Sequence, residues 1–326
     1  MKKVLIATRT FGKYSSDPVK FLEDNGFEVL RYEKGDISGY LKNVDALIIG
    51  THPVITGEMI ENSSLQIIAR HGVGIDNVDV KVATKKGIPV TITYGANAVS
   101  VAELTIAFMF ALAKKLIKAH RSVLEENTWP SIVGIELYGK TLGLLGFGAV
   151  GREVAKRAMA LSMKVIAYDP YVSKEEMEKM GVTPVVFDRI FKESDFISIH
   201  VPLTEETKNL IGERELKMMK ESAFLINTAR GGIVDEEALA KALRERWIAG
   251  AALDVFEEEP PSFESPLFKC ENLIATPHMA AHTFEAIYRM NMMAAISIVD
   301  YFNGKIPKYI VNKEVVEKLK EKGFKE

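Results

Sequence analysis

The chain has 326 residues, of which 47% are apolar and 26% charged, and its formal net charge is −2. This composition excludes an intrinsically disordered chain, and the length favours two domains of roughly 150 residues each. Because the charge is nearly balanced and basic residues form no block outside the C-terminal tail, nucleic acids and membrane surfaces are not expected partners.

A few residues bear on the cellular compartment. Cys270 is the only cysteine, so no intramolecular disulfide can form and a cytoplasmic location is expected. The apolar run behind the N-terminal lysines is too brief for a signal sequence. The most apolar stretch, 101–113, contains Glu103 and is too short to span a bilayer, so it is predicted to be a buried helix.

From the N-terminus, short β-rich runs alternate with helix-like segments. The strand candidates of this first series are VLIAT, FEVLRY, ALIIG, LQIIAR and IPVTIT. Parallel strands need a crossover of about a dozen residues, so the alternation predicts a parallel sheet covered by helices.

The pattern changes near residue 95, where one long helical segment begins. Ser100 and Glu103 have the spacing of a capping box at its start, and Trp129-Pro130 mark its end. Because the segment 100–126 is apolar around much of its circumference, we expect it to be buried between domains or subunits and predict a homodimer.

A second alternating series follows this helix. Its strand candidates are TLGLLG, KVIAYD, FISIH, AFLINTA, IAGAALDVF and NLIATP. A closing helix from near His282 to about Phe302 leaves only a short tail, which is too small for a core of its own and must pack on the first series. We therefore predict two doubly wound α/β domains, with residues 98–288 inserted into a domain made of 1–97 and 289–326.

The clearest local motif is TLGLLGFGAVG, in which Gly146, Gly148 and Gly151 follow a strand and precede a helix. Glycines at this spacing allow a tight turn and a close approach to a pyrophosphate, whose charge the helix N-terminus stabilises. The next strand ends at Asp169, where a carboxylate accepts hydrogen bonds from ribose hydroxyls and would repel the extra phosphate of NADP. NAD is therefore the predicted cofactor, and 98–288 the predicted Rossmann domain.

Three later strands each end at a polar group. Arg230 follows AFLINTA, Asp254 and an acidic run end GAALDVF, and His278 follows NLIATP. Ligands of open α/β sheets bind outside the carboxyl ends of the strands, so these groups are expected beside the glycine loop. A histidine suits proton transfer with a hydroxyl and an arginine suits a carboxylate, which favours hydride exchange at a carbon next to a carboxylate. Each group alone also fits a structural role, such as a surface ion pair or a helix entry.

At these residues the chain resembles the D-isomer-specific 2-hydroxyacid dehydrogenases, in particular their phosphoglycerate dehydrogenase-like branch. The resemblance covers nearly the whole chain. The segments that carry it are ARHGVGIDNVD, GANAVSVAEL, GKTLGLLGFGAVGREVA, YDP, INTARGGIVDEEAL, ALDVFEEEP and TPH. It implies a flavodoxin-like substrate-binding domain beside the Rossmann domain, NAD-dependent oxidation of a D-2-hydroxy acid and, with 3-phosphoglycerate as the leading substrate, a place in serine biosynthesis.

The resemblance also implies roles for individual residues. Arg230 would bind and orient the substrate, His278 would be the acid-base, Glu259 would pair with that histidine, and Asp254 would hold the nicotinamide amide. The implied cofactor-binding residues are Gly146, Phe147, Gly148, Ala149, Val150, Gly151, Asp169, Thr228, Ala229 and Asp254. The implied substrate-binding residues are Val73, Gly74, Asn97, Ser100, Arg230 and His278.

One departure from this branch leaves the substrate open. Relatives acting on phosphoglycerate often carry an arginine after the strand corresponding to DALIIG, where this chain has Gly50. Arg9, Lys13 and His52 follow strands nearby and are candidates to bind a phosphate, although each also fits a solvated surface. A hydroxypyruvate or glyoxylate reductase is therefore an alternative, and a non-catalytic NAD-sensing module is another.

His278 and His282 have the spacing of a metal-binding pair on one helical face. However, His278 directly follows a strand, before the helix begins, so this spacing is not expected to bring both rings to one face. We predict no metal site, and the role of His282 is left open.

Overall fold

In the computed structural model, which describes residues 1–325, the chain forms two units. Unit 1 contains residues 1–97 and the C-terminal part from 282 onward, and unit 2 contains residues 98–281. The sequence predicted that the chain returns to the first domain after residue 288. In the structure the chain returns to unit 1 at His282, because the closing helix as a whole packs on the strands of unit 1.

Strands and helices alternate along both units. The N-terminal part of unit 1 consists of β1 (Lys2–Ala7), α1 (Asp17–Asp24), β2 (Phe27–Arg31), α2 (Ser38–Leu41), β3 (Ala46–Ile49), α3 (Gly57–Glu61), β4 (Ile67–Arg70), α4 (Val80–Lys86) and β5 (Val90–Ile92). Unit 2 consists of α5 (Ala98–Ala113), α6 (Leu116–Leu124), β6 (Thr141–Leu145), α7 (Ala149–Ala160), β7 (Lys164–Tyr168), α8 (Lys174–Lys179), β8 (Thr183–Pro184), α9 (Phe187–Glu193), β9 (Phe196–Ile199), α10 (Glu213–Met218), β10 (Phe224–Asn227), α11 (Glu236–Arg244), β11 (Gly250–Leu253), a short 3₁₀ helix (Pro266–Lys269) and β12 (Leu273–Ala275). Unit 1 is completed by α12 (Phe284–Phe302) and α13 (Glu314–Glu321).

The sheet of unit 1 has the strand order β2-β1-β3-β4-β5, and its strands pair in parallel. Buried aliphatic side chains fill both faces, and Ala294 and Ile298 of α12 belong to one of these cores. The order reverses between β1 and β3, and open α/β sheets bind ligands at such a point. Arg9 and His52 lie in the loops that follow these two strands.

The C-terminal tail pairs with the edge strand β5. The Val311 amide donates to the Val90 carbonyl (2.9 Å), and the Ile92 amide donates to the Tyr309 carbonyl (3.0 Å). The side chain of Asn312 accepts from the Val90 amide at 2.9 Å. The tail therefore covers an edge that would otherwise expose unpaired backbone groups, and its predicted packing on the first series is confirmed.

The sheet of unit 2 has the order β12-β11-β10-β9-β6-β7-β8 and is also parallel. This is the doubly wound dinucleotide-binding order, with its reversal between β6 and β9. The predicted strands of the second series all form. The structure adds β8, which has only two residues and no apolar run to reveal it.

The long helix predicted over 100–126 is divided in two. Lys115 has a left-handed backbone (φ 52°) and separates α5 from α6. The predicted capping box is wrong, because α5 begins at Ala98 and Ser100 already lies inside it, while Glu103 forms an ion pair with Arg157 (3.4 Å). α5 packs on α7, β10 and β11 of its own unit. Within residues 1–325, no helix combines the length and the apolar character needed to cross a membrane.

Candidate active site

The glycine loop between β6 and α7 has room for a phosphate. Gly146 has φ 95°, and a Cβ there would lie 2.7 Å from the His200 backbone. A Cβ on Gly151 would overlap the Gly146 carbonyl, so both positions exclude side chains. A Cβ on Gly148, the N-cap of α7, would meet nothing within 4 Å. Open space above a helix N-terminus fits a bound pyrophosphate.

Asp169 joins the glycine loop to the end of β7. One carboxylate oxygen accepts from the Phe147 amide and the other from the Tyr171 amide, each at 2.8 Å. Each oxygen keeps a further lone pair, so the carboxylate can also accept from a ribose hydroxyl. The loop and this acid together fit an NAD molecule, whose ribose lacks the extra phosphate of NADP.

Arg230 lies in a loop that its own strand end organises. The buried side chain of Asn227 donates to the Arg230 carbonyl (2.8 Å) and accepts from the Ala229 amide (3.0 Å). Next to Arg230, a Cβ on Gly231 would overlap the Phe256 carbonyl. The loops after β10 and β11 are therefore in direct backbone contact.

Glu259 and His278 form a hydrogen-bonded pair. His278 Nδ1 lies 2.6 Å from Glu259 Oε2, and the other oxygen of Glu259 accepts from the Phe256 amide (3.1 Å). Burial raises the pKa of the Glu259 carboxyl, but the hydrogen bond and charge of His278 and the nearby charge of Arg230 outweigh it, so this pKa lies below its ordinary value. Glu259 is therefore ionised at neutral pH and accepts the proton of the bond.

Asp254 builds the turn that carries His278. Its fully buried carboxylate accepts from the Thr276 hydroxyl (2.5 Å) and from the Met279 and Ala280 amides (2.8 Å each). His278 itself has φ 50°, which a residue with a side chain seldom adopts and which the surrounding turn must hold. The contact of Asp254 with a nicotinamide amide remains a prediction.

The structure thus gathers the predicted catalytic residues at one edge of a sheet. Arg230, Glu259 and His278 follow the neighbouring strands β10, β11 and β12, and the positive charge of Arg230 acts on Glu259. A hydrogen-bonded carboxylate-histidine pair, partly exposed and beside an arginine, can accept and return a proton next to a bound carboxylate.

Most of unit 2 matches one family of known proteins. Residues 106–280 match the family model described as D-isomer specific 2-hydroxyacid dehydrogenase, NAD binding domain, which is more than half of the chain. The chain belongs to this family. The predicted family, the predicted α/β fold with two parallel-sheet domains and the predicted cofactor NAD are therefore confirmed for this dehydrogenase.

The relatives of this dehydrogenase differ in named activity. The chain is 42% identical over 321 residues to a D-3-phosphoglycerate dehydrogenase of Archaeoglobus fulgidus, with 97% of this chain but only 60% of that relative covered. It is 43% identical over 292 residues to a glyoxylate reductase of Korarchaeum cryptofilum, with 87% of each covered. The structure of a D-lactate dehydrogenase from Aquifex aeolicus, complexed with NAD and lactic acid, matches with TM-score 0.83 and 28% identity over 97% of this chain and 98% of that one.

The other predicted residues are divided between the units. Val73, Gly74 and Asn97 lie in unit 1, where Val73 and Gly74 follow β4. The preceding residue, Gly72, exchanges hydrogen bonds with Thr93, whose hydroxyl accepts from its amide and whose amide donates to its carbonyl (2.9 Å each). The assignment of these residues to substrate remains a prediction.

Two predicted residues of unit 2 have buried hydroxyls. Ser100 donates to the Ala280 carbonyl (2.5 Å), close to His278, and Thr228 shares a hydrogen bond with Thr105 (3.1 Å). Both bonds fasten α5 to the loops of the site. The predicted contacts of Ser100 with substrate and of Thr228 with the cofactor stay predictions.

Sequence reasoning missed two residues at the carboxyl end of β9, Ser198 and His200. Ser198 Oγ and His200 Nε2 are 2.9 Å apart, and the His200 backbone adjoins Gly146 of the glycine loop. Desolvation lowers the pKa of His200 to about 3, so a neutral ring stands there. The sequence carries the signal, because FISIH is predicted as a strand and His200 stands at its carboxyl end, as Arg230 and His278 do at theirs.

The two histidines of the H-x-x-x-H spacing do not share a helix. His278 sits in the turn after β12, and His282 precedes Thr283, the N-cap of α12. Among residues 1–325, no group of three histidine, cysteine, aspartate or glutamate side chains could hold a metal ion.

Proposed function

We propose that this protein catalyses reversible hydride exchange between NAD and a D-2-hydroxy acid, giving the 2-keto acid. The observation that supports it most is the 2.6 Å contact of Glu259 with His278, at the sheet edge that also carries Arg230 and the glycine loop. Acid-base assistance of this kind contributes about 10²–10⁴ in rate.

The roles of the three residues follow from their hydrogen bonds. Because an ionised carboxylate can only accept, the hydrogen of the Glu259–His278 bond belongs to Nδ1, and Nε2 is the atom that exchanges a proton with the substrate hydroxyl. Glu259 fixes the orientation and the tautomer of the ring. Arg230 presents a planar pair of donors that suits a carboxylate and polarises the keto oxygen in the reductive direction.

The cofactor is supported by residues that fit its parts. The amides at the start of α7 would bind the pyrophosphate, and Asp169 a ribose diol. When bound, NAD supplies the hydride acceptor for oxidation or, reduced, the donor for reduction. Asp254, Thr228 and Ala229 are proposed to line its nicotinamide end.

For the substrate, 3-phosphoglycerate is the first candidate to test, with hydroxypyruvate and glyoxylate as the alternatives. A Cβ on Gly50 would lie 3.0 Å from the Thr8 hydroxyl, so this position is packed against β1's loop and offers no side chain to a phosphate. The loops 8–16 and 50–56 contain Arg9, Lys13 and His52 but no acid. Both follow the strands where the sheet order reverses, which supports an anion site there.

Arg9→Ala tests this phosphate site. We expect the KM for phosphohydroxypyruvate to rise about tenfold or more, the effect of losing one charged hydrogen bond, while the KM for glyoxylate changes little. Lys20→Ala, which removes an equal charge from the exposed surface of α1, is the control. Equal changes for both substrates would rule out a phosphate contact by Arg9.

A steady-state assay of 2-keto acids with NADH and NADPH tests the function as a whole. We expect turnover with NADH of at least one of phosphohydroxypyruvate, hydroxypyruvate and glyoxylate, and a strong preference over NADPH. Binding of NADH without turnover of any keto acid would instead favour the NAD-sensing module.

We further propose that the protein is a cytoplasmic homodimer and, if 3-phosphoglycerate is its substrate, that it serves serine biosynthesis. The dimer is supported by apolar side chains exposed along α6 and the segment after it, among them Leu116, Leu124 and Trp129. Apolar side chains concentrated on one surface are typical of subunit contacts.

A further inference from the structure

The carboxylate of Glu236 accepts a hydrogen bond from the loop that carries Glu259. The amide of Glu257 donates to Glu236 Oε1 at 2.7 Å, two residues before Glu259. We infer that Glu236 is a positioning residue, which holds the loop 256–259 where Glu259 meets His278. This inference rests on the proposed function, because it concerns the same acid-base pair.

The backbone that carries Glu236 is held in place by its neighbours. It is the first residue of α11, whose N-cap Asp235 accepts from the Ala238 amide (2.9 Å). The segment just before it is paired with another loop, through the bridge of Val234 with Ile211. A side chain anchored on such a helix start can hold a neighbouring loop in place, because its own backbone has little freedom.

The loop 256–259 is held from two directions. On one side Gly231 lies so close to the Phe256 carbonyl and the Glu257 amide that no side chain fits there. On the other side Glu236 accepts the hydrogen bond of that same amide. With Phe256 donating to Glu259 Oε1, the backbone of the loop determines where the second oxygen of Glu259 points.

The charge around Glu236 argues against a merely solvated acid. Burial raises the pKa of the Glu236 carboxyl, the Glu257 amide opposes this, and the charges of Glu257, Glu258 and Glu259 raise it further. An acid is thus electrostatically unfavourable at this half-buried place, whereas the next residue, Glu237, is exposed. The contact that stabilises the Glu236 carboxylate at this place is the hydrogen bond from the Glu257 amide.

Three variants separate the hydrogen bond from the charge. Glu236→Ala removes both, Glu236→Gln keeps an acceptor for the Glu257 amide but removes the charge, and Glu237→Ala is the matched surface control on the same helical turn. Two quantities are measured: kcat for the best 2-keto acid with NADH, and the pKa of the Glu259 carboxyl in the ligand-free protein by ¹³C NMR titration.

We expect kcat to fall about tenfold or more in Glu236→Ala, with the keto-acid KM and NADH affinity within about twofold of wild type. We expect Glu236→Gln and Glu237→Ala to stay within about threefold of wild type. The pKa of Glu259 should be higher in Glu236→Ala than in Glu236→Gln, because both variants remove the repelling charge of Glu236 but only the alanine variant also loosens the bond of Glu259 to His278.

Wild-type kcat in Glu236→Ala, together with a Glu259 pKa equal to that of Glu236→Gln, would overturn the inference. So would an equal loss of kcat in Glu236→Ala and Glu236→Gln, which would assign the effect to charge. If Glu236→Ala does not fold, Glu236→Gln decides, since a tenfold loss of kcat in it contradicts the inference. If the wild type turns over no keto acid, the proposed function has failed, and the Glu259 titration still tests the positioning.

Discussion

At the scale of single residues, the buried His71 links pH to stability. Burial, with the charge of Arg70 added, lowers the pKa of His71 from its ordinary 6.5 to about 4. In the unfolded chain the ring takes up a proton at the higher pH, so the unfolded state gains protons first as the pH falls. The free energy of unfolding therefore decreases from pH 6.5 down to about 4, by roughly 3 kcal/mol.

Substituting His71 with glutamine should remove this part of the acid sensitivity. We expect urea unfolding between pH 7 and pH 4 to show a loss of stability in His71→Gln that is smaller than in wild type by about 3 kcal/mol. His120→Gln, at an exposed histidine, should keep the wild-type dependence. If His71→Gln loses as much stability as wild type, a neutral buried ring at His71 is not the cause.

The individual site residues differ in how far sequence could predict them. The positions of Arg230 and His278 were predictable, because each directly follows a strand of clear pattern, and the structure places both at that sheet edge. The choice of Glu259 among three successive glutamates came only from the resemblance, since their spacing does not show which one reaches His278. The structural role of Asp254 could not be predicted from the sequence. Its carboxylate accepts three hydrogen bonds from the turn that carries His278, and no sequence pattern indicates them.

At the scale of elements, the loops after β10 and β11 contact each other so closely at Gly231 that an added methyl group would separate them. In Gly231→Ala the new Cβ would overlap the Phe256 carbonyl, so the loops must separate and Arg230 must move away from Glu259. We expect kcat to fall about a hundredfold, as misplacement of catalytic groups by about 1 Å does, and the Tm to fall as well.

Gly212→Ala is the matched control for this substitution. A Cβ at Gly212, in the same unit, would meet only Glu215 at an ordinary 3.8 Å. We expect it to keep kcat within about twofold of wild type. An active Gly231→Ala protein would show that the two loops are not rigidly joined.

Sequence patterns did not predict where the helices α5 and α6 begin and end. The apolar pattern of 100–126 continues across Lys115, and nothing in it reveals the left-handed residue that ends α5. Ser100 and Glu103 match a capping box, yet the helix begins earlier and the serine hydroxyl bonds to Ala280 instead. Such local motifs are overridden when a distant backbone group competes for the same side chain.

At the scale of the whole molecule, the alternation of strands and helices was sufficient to predict both parallel sheets. Apolar periodicity is a strong signal for buried parallel strands, and it located every strand except the two-residue β8. The return to unit 1 before His282 was not predictable, because α12 is apolar along most of its length and its pattern does not say which sheet it covers.

The proposed homodimer is a prediction about the whole molecule. We expect sedimentation equilibrium to give twice the chain mass of 36.2 kDa. Leu124→Glu, on the exposed apolar surface of α6, should shift the protein toward monomer, whereas Val186→Glu, at another exposed apolar residue, should not. A wild-type protein that sediments as a monomer would remove the proposal.

The central claim is that His278 exchanges the proton while the glycine loop holds the cofactor. The most direct measurement compares wild type with His278→Gln in two assays, turnover of the best 2-keto acid with NADH and binding of NADH by fluorescence titration. The account predicts a loss of turnover of about 10²–10⁴ with NADH affinity within about twofold of wild type. Normal turnover by His278→Gln would contradict it.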